Sequence, residues 1–93
     1  MAEDDFPFQP GAMLHGAILG AFRASGGSFE RWCVEHDITP TNARNVTYGV
    51  SKGPKGQELL ARLIEAAGPE IVRAGYMARF KRHVEQVRVR GAA

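Results

Sequence analysis

The sequence contains one cysteine and no long run of apolar residues. A single Cys in 93 residues excludes an intramolecular disulfide and is typical of proteins from a reducing compartment. No apolar run approaches the roughly 20 residues needed to cross a membrane, and the acidic N-terminus is unlike a signal peptide. We therefore expect a cytoplasmic protein with no membrane partner.

The residues that carry most enzyme chemistry are also few and scattered. His15, His36 and His83 fall in three different predicted helices, and Cys33 lies within a packed helical segment. No metal-ligand spacing is present. We expect the glycine-rich residues 49–56 to form a surface loop. They lack the glycine spacing and the Lys-Ser/Thr of a nucleotide-binding P-loop. We predict that the protein is not an enzyme and has no catalytic residue, metal or cofactor.

Charge is modest overall but uneven along the chain. The formal net charge is +2, whereas residues 1–10 contain three acidic and no basic residues, and residues 70–93 contain six basic and two acidic residues. A basic end suits a polyanion such as nucleic acid, although plain solubility explains it equally well. With 44% apolar residues, the chain is long enough for one small core.

Residues 28–48, SFERWCVEHDITPTNARNVTY, contain two short helix signals joined by a tight turn. Ser28 is a good N-cap for the first helix, and Asp37 interrupts its apolar pattern. Thr39 followed by Pro40 is typical of an N-cap and a first helical residue. This arrangement predicts a helix-turn-helix.

The second of these helices, residues 39–48, predicts a DNA-reading surface. Ala43 and Val46 lie three apart and are expected to face the core. Its polar residues include types that recognise base edges in the major groove, where a helix-turn-helix places its second helix. An ordinary polar helix face is the simpler alternative. The candidate base-reading residues are Thr39, Thr41, Asn42, Arg44, Asn45 and Tyr48.

Residues 26–66, GGSFERWCVEHDITPTNARNVTYGVSKGPKGQELLARLIEA, resemble the Ner-type phage repressors and, more loosely, lambda-repressor-like regulators. The resemblance covers about half of the chain. Asp37 replaces the usual glycine of the turn, and His36 stands where an apolar residue is common. The resemblance implies a bacterial or phage-encoded, nucleoid-associated protein. It also implies that residues 49–56 lie over the DNA backbone, with Ser51, Lys52 and Lys55 as phosphate ligands.

The remaining segments predict three further helices, so that the fold is an all-α, compact bundle of about five. A first helix over about residues 12–25 has an apolar stripe and a strip of small residues that includes Gly16 and Gly20. A fourth helix covers about residues 57–67. Residues 69–93 form a C-terminal amphipathic basic helix, which runs from Pro69 to about Val87, and a tail. They follow a flexible acidic arm at residues 1–10 and a helix-turn-helix DNA-binding core at residues 11–68.

The apolar stripe of the C-terminal helix has two possible uses. It is long enough to predict a twofold-symmetric dimer interface formed by Tyr76, Phe80, Val84 and Val87. Alternatively, the helix folds back over Leu14, Ile18 and Phe22 and completes a monomer's core. The alternation at residues 87–90 also fits a short strand.

These patterns together predict a transcriptional regulator that binds double-stranded DNA, forms a homodimer and contacts the transcription machinery. An architectural DNA-binding protein of the phage excision or packaging type would use the same fold. A protein-interaction module would instead use the C-terminal helix and the N-terminal arm, whose Phe6 and Phe8 either pack on the domain or await a partner.

Overall fold

The computed structural model describes residues 8–92, and it describes the side chains of residues 8–88. Within that range the chain forms five α-helices and no β-strand. They are α1 (Ala12–Ala24), α2 (Phe29–Glu35), α3 (Pro40–Thr47), α4 (Pro54–Ala67) and α5 (Pro69–Ala92). The prediction of an all-α bundle of about five helices is confirmed.

Helix α1 lies at the centre of the fold and contacts each of the other four helices. Its apolar residues recur at the spacing of one helix face. The structure buries the whole predicted stripe, which consists of Leu14, Ala17, Ile18, Ala21 and Phe22. Because α1 borders every other helix, its packing fixes their positions relative to one another.

Helix α5 runs along α1 in the most extensive helix pairing among the described residues. A Cβ atom placed on Gly75 would lie 3.5 Å from Ala17 Cβ, so the two backbones approach closely there. Arg79 crosses the same surface: its Nη1 donates to the Gly75 carbonyl at 3.1 Å, and its Nε would lie 3.1 Å from a Cβ atom on Gly16. The strip of small residues on α1 therefore admits α5 and the Arg79 side chain.

The structure divides the four residues that were predicted to form a dimer interface. Tyr76 is only 6% exposed and belongs to the core, so its assignment to an exposed face is wrong. Phe80, Val84 and Val87 are 43%, 39% and 55% exposed. The first half of α5 therefore folds back on α1 and completes the core. All described side chains of the second half are exposed, from residue 81 to residue 88.

Helix α5 is also longer than the sequence pattern indicated. It begins at Pro69, as predicted, but continues to Ala92 instead of ending near residue 87. Residues 87–90 are therefore helical and do not form the short strand that their alternation allowed. The physical reason is that extending an existing helix adds a backbone hydrogen bond for each residue, whereas a lone strand has no partner.

The connection between α2 and α3 is built from local hydrogen bonds. Ser28 Oγ accepts from the Arg31 N–H at 3.0 Å and Thr39 Oγ1 accepts from the Asn42 N–H at 3.2 Å, so both predicted N-caps are confirmed. Asp37 has a φ of 57°, in the left-handed region that Asp adopts more readily than most residues. The next residue, Ile38, donates its N–H to the Cys33 carbonyl at 2.8 Å.

Helix α4 begins earlier than the predicted start near Gln57. Gly53 is its N-cap and Pro54 its first residue, a position that suits proline's fixed φ and missing N–H. The predicted loop at residues 49–56 therefore ends at Gly53, and Lys55 lies in the first turn of α4. Gly49 takes a φ of 87° where the chain leaves α3.

The last residues of the predicted flexible arm pack against the domain. Phe8 meets the Tyr76 ring edge-on, with 5.2 Å between ring centroids, and the Gln9 N–H donates to the Tyr76 hydroxyl at 3.2 Å. Gly11 N–H donates to the Thr47 carbonyl at 2.9 Å. Phe8 thus packs on the domain, which was one of the two predicted alternatives for the arm, whereas Phe6 and the rest of residues 1–7 lie outside the described residues.

A pair of glycine substitutions tests the junction between the loop and α4. Gly56→Ala should lower the free energy of unfolding by about 1–3 kcal/mol, because the new Cβ would lie 2.7 Å from the Ser51 carbonyl oxygen. Gly20→Ala is the matched control, since its Cβ meets nothing nearer than Arg79 Nη2 at 3.9 Å. It should raise stability by about 0.5–1 kcal/mol through helix propensity. Equal effects in chemical denaturation would contradict the close contact.

Candidate nucleic-acid interface

The outward side of α3 carries most of the residues that were predicted to read bases. The helix buries Ala43, Val46 and Thr47 against the core. Its predicted base-reading side chains comprise exposed Thr41, Asn42 and Arg44, half-buried Asn45, and Tyr48, which is 45% exposed. Paired hydrogen bonds from Arg or Asn can recognise guanine or adenine, respectively. The side of α3 that faces solvent therefore has the chemistry needed to distinguish bases.

Thr39 differs from the other candidates because its side chain already has a structural use. Its Oγ1 accepts the Asn42 N–H and caps α3, a contact that typically contributes about 1 kcal/mol. The hydroxyl keeps a proton to donate, but its orientation is set by the cap. The main role of Thr39 is therefore to cap α3, and any contact with a ligand is secondary.

Arg44 forms an ion pair with Glu30 that links α3 to α2. Arg44 Nη2 lies 3.1 Å from Glu30 Oε2, and the two side chains are 48% and 64% exposed. An exposed pair of this kind contributes about 0–1 kcal/mol, so it orients the guanidinium without holding it firmly. Sequence reasoning missed the pair because the partners lie on different helices. A ligand that offers Arg44 two acceptors would compete with Glu30 for it.

His15 of α1 is buried against the end of α3 and had no role in the sequence-based reading. Its ring stacks on Tyr48 at a centroid distance of 4.4 Å and meets Phe29 edge-on at 5.5 Å. His15 lies three residues before Ile18 and seven before Phe22, so helical spacing could have placed it in the buried stripe of α1. His15 covers one face of the Tyr48 ring, so the core restrains the position of this predicted base-reading residue.

The hydrogen bonds around His15 determine whether its Nδ1 atom donates or accepts. Thr47 Oγ1 donates to the Arg44 carbonyl at 3.1 Å and lies 2.8 Å from His15 Nδ1. Because the hydroxyl has one proton, His15 Nδ1 must be the donor to Thr47. Burial lowers the pKa of His15 from its ordinary value of 6.5, and the nearby Arg44 guanidinium lowers it further. Both effects favour the neutral form of His15 at pH 7.

A groove between α3 and the start of α4 brings predicted base-reading and phosphate-binding residues together. Asn42 lines it from α3, while Ser51 and Lys55 line it from the loop and the first turn of α4. The loop is held to α3 because the N–H groups of Val50 and Ser51 both donate to the Asn45 carbonyl, at 2.8 and 3.1 Å. The groove is therefore a defined surface despite its glycine-rich wall.

Tyr48 and Lys52 line a second groove on the other side of the loop. Its walls include Gln9 and Pro10 from the N-terminal segment and Gln57 from α4. The Gln57 side chain donates to the Lys52 carbonyl at 3.2 Å, which ties the loop to α4. The two grooves place all three predicted phosphate-binding residues beside residues predicted to read bases.

The described residues contain no group of three or more His, Cys, Asp or Glu side chains arranged to hold a metal ion. Cys33 is fully buried, and burial, followed by the negative charge of Glu30, raises the pKa of its thiol. The thiol is therefore protonated and inert at neutral pH. None of the helices among the described residues has the length and apolar character needed to span a bilayer.

Comparison of the chain with protein-family models, curated proteins and solved structures finds no match. The assignment of a function therefore depends on the chemistry and geometry of this chain's own residues.

The buried state of His15 predicts that stability falls in mild acid. The pKa of His15 in the folded chain lies below its unfolded value near 6.5. The free energy of unfolding that comes from burying a neutral His15 is therefore fully present above pH 6.5. It is lost as the pH falls below 6.5 towards the folded pKa, because the unfolded chain binds the proton more readily. Thermal unfolding at pH 7.5 and 5.5 should show a smaller decline for His15→Gln than for the wild type.

His36→Gln and His83→Gln are the matched controls for this pH dependence. Both histidines are exposed, so both variants should keep the decline of the wild type. A wild-type decline that His15→Gln leaves unchanged would contradict the assignment to His15.

Proposed function

We propose that this protein is a sequence-specific regulator of transcription that binds duplex DNA in the manner of the Ner-type repressors. The observation that carries the proposal is the groove in which Asn42 of α3 meets Ser51 and Lys55. Base-reading and phosphate-binding chemistry are adjacent there, as a protein that follows the major groove requires.

In this proposal α3 enters the major groove with Asn42 and Arg44 towards the base edges. Arg44 exchanges its single contact with Glu30 for two acceptors on a guanine. The exchange is favourable because an exposed ion pair is weak, whereas a bidentate contact discriminates by about 1–3 kcal/mol. Tyr48 remains stacked on His15 and lines the edge of the surface.

The loop and the start of α4 contact the DNA backbone. Lys52 and Lys55 are exposed on either side of Gly53, which caps α4 without a side-chain hydrogen bond. The first N–H groups of α4 and its positive dipole end suit a phosphate oxygen. These contacts are independent of base sequence and set the depth and direction of α3 in the groove.

Selection of bound sites from random duplexes tests the proposal directly. A recovered consensus sequence supports it, whereas retention of random DNA alone would favour an architectural role. Absence of salt-sensitive DNA binding would overturn it.

Substitutions in α3 should separate base reading from general affinity. Asn42→Ala and Arg44→Ala should each cost about 1–3 kcal/mol on the selected site and much less on random duplexes, as measured by fluorescence anisotropy. The control is Glu30→Gln, which removes the ion pair but leaves the guanidinium. It should bind the selected site at least as tightly as the wild type. Equal losses on both DNAs would show that Arg44 contacts only phosphate.

Substitutions in the loop and in α4 should lower the affinity for DNA without changing the preference for one base sequence over another. Lys52→Ala and Lys55→Ala should weaken binding to all duplexes alike, and each should reduce the slope of log K against log salt concentration by about one unit. Arg23→Ala, at the exposed end of α1, is the control and should leave the slope unchanged. An unchanged slope with a loss confined to the selected site would contradict the assignment to phosphate.

A further inference from the structure

The second half of α5 carries an apolar row that the described fold leaves uncovered. Met77, Phe80, Val84 and Val87 are 47%, 43%, 39% and 55% exposed. Their spacings of three, four and three residues place them along one side of the helix. A continuous apolar row on a protein surface marks a site of association.

The order of the residues in this row is symmetric. Phe80 and Val84 each lie two positions from residue 82, and Met77 and Val87 each lie five positions from it. An antiparallel pair of identical helices centred on residue 82 would therefore place Phe80 opposite the partner's Val84, and Met77 opposite the partner's Val87. Such a patch is self-complementary, which is the requirement for a closed twofold dimer.

The charges beside the row fit the same arrangement. Lys81 and Glu85 lie one turn apart along one edge, and neither forms an ion pair within the part of the chain that the structure describes. In an antiparallel pair the same edges of the two helices meet, so each Lys81 approaches the partner's Glu85. Arg82 lies on the far side of the helix, about 200° around from Phe80.

We propose that α5 binds a second copy of this chain, antiparallel and centred on residue 82. Four side chains make an interface smaller than the roughly 800 Å² for each partner that stable complexes bury. The dimer is therefore weak and forms at high protein concentration. If the proposed DNA binding holds, adjacent half-sites supply that concentration locally and bring two copies of α3 onto one DNA molecule.

Sedimentation velocity without DNA tests the pairing independently of the proposed function. Between about 10 μM and 1 mM, a range that covers weak dimers, the wild type should shift from monomer towards dimer. Phe80→Glu should remain monomeric over the whole range, because pairing would bury its charge. Phe80 is exposed, so the variant should keep the helical circular dichroism of the wild type.

Val34→Glu is the matched control, because it introduces the same charge at a residue of α2 that is 68% exposed. It should associate as the wild type does. A wild type that remains monomeric at the highest concentration would overturn the proposal, as would a Phe80→Glu variant that still dimerises.

Exchange of charges tests the antiparallel arrangement without changing the apolar row. Lys81→Glu and Glu85→Lys should each weaken the dimer at least several-fold, because each replaces the attraction between residue 81 of one helix and residue 85 of the other by a repulsion. The double variant restores opposite charges at this pair and should recover the wild-type dissociation constant. Additive losses in the double variant would overturn the arrangement, and this result does not depend on whether Phe80→Glu folds.

Discussion

The close packing of α5 on α1 is the constraint on which the rest of the structure depends. It requires small residues where the helices meet, and Gly16, Ala17 and Gly75 supply them. With α5 in this position, Tyr76 closes the core and receives Phe8 and Gln9 from the N-terminal segment. The other sides of α1 are then free to contact α2, α3 and α4, so the helix that bears the candidate interface is held by the centre of the fold.

Local signals in the sequence predicted most of the helical architecture. Ser28 and Thr39 begin their helices through side-chain caps that act within three residues, and Asp37 turns the chain by its own backbone preference. The stripe of α1 repeats within a single helix. The start of α4 was misplaced because glycines at residues 53 and 56 suggested a loop, although Pro54 is well suited to a first helical position.

Contacts between distant residues could not be predicted in this way. Arg44 and Glu30 are 14 residues apart, His15 and Thr47 are 32 apart, and Gln9 and Tyr76 are 67 apart. Each pair depends on how two helices or segments pack, which periodicity within either segment does not record. The same limit explains Tyr76 and Phe80: they share a stripe on α5, but only the packing of α5 against the rest of the fold leaves one buried and the other exposed.

The position of Cys33 makes its thiol a probe of local opening in the folded chain. The thiol is completely covered where α2 meets the core, and it is the only one in the sequence. A thiol-specific reagent can therefore reach it only in molecules whose α2 has opened. When closing is faster than the chemical reaction, the labelling rate reports the free energy of that opening. Comparison with the global unfolding free energy would reveal whether α2 detaches alone or only when the whole core is lost.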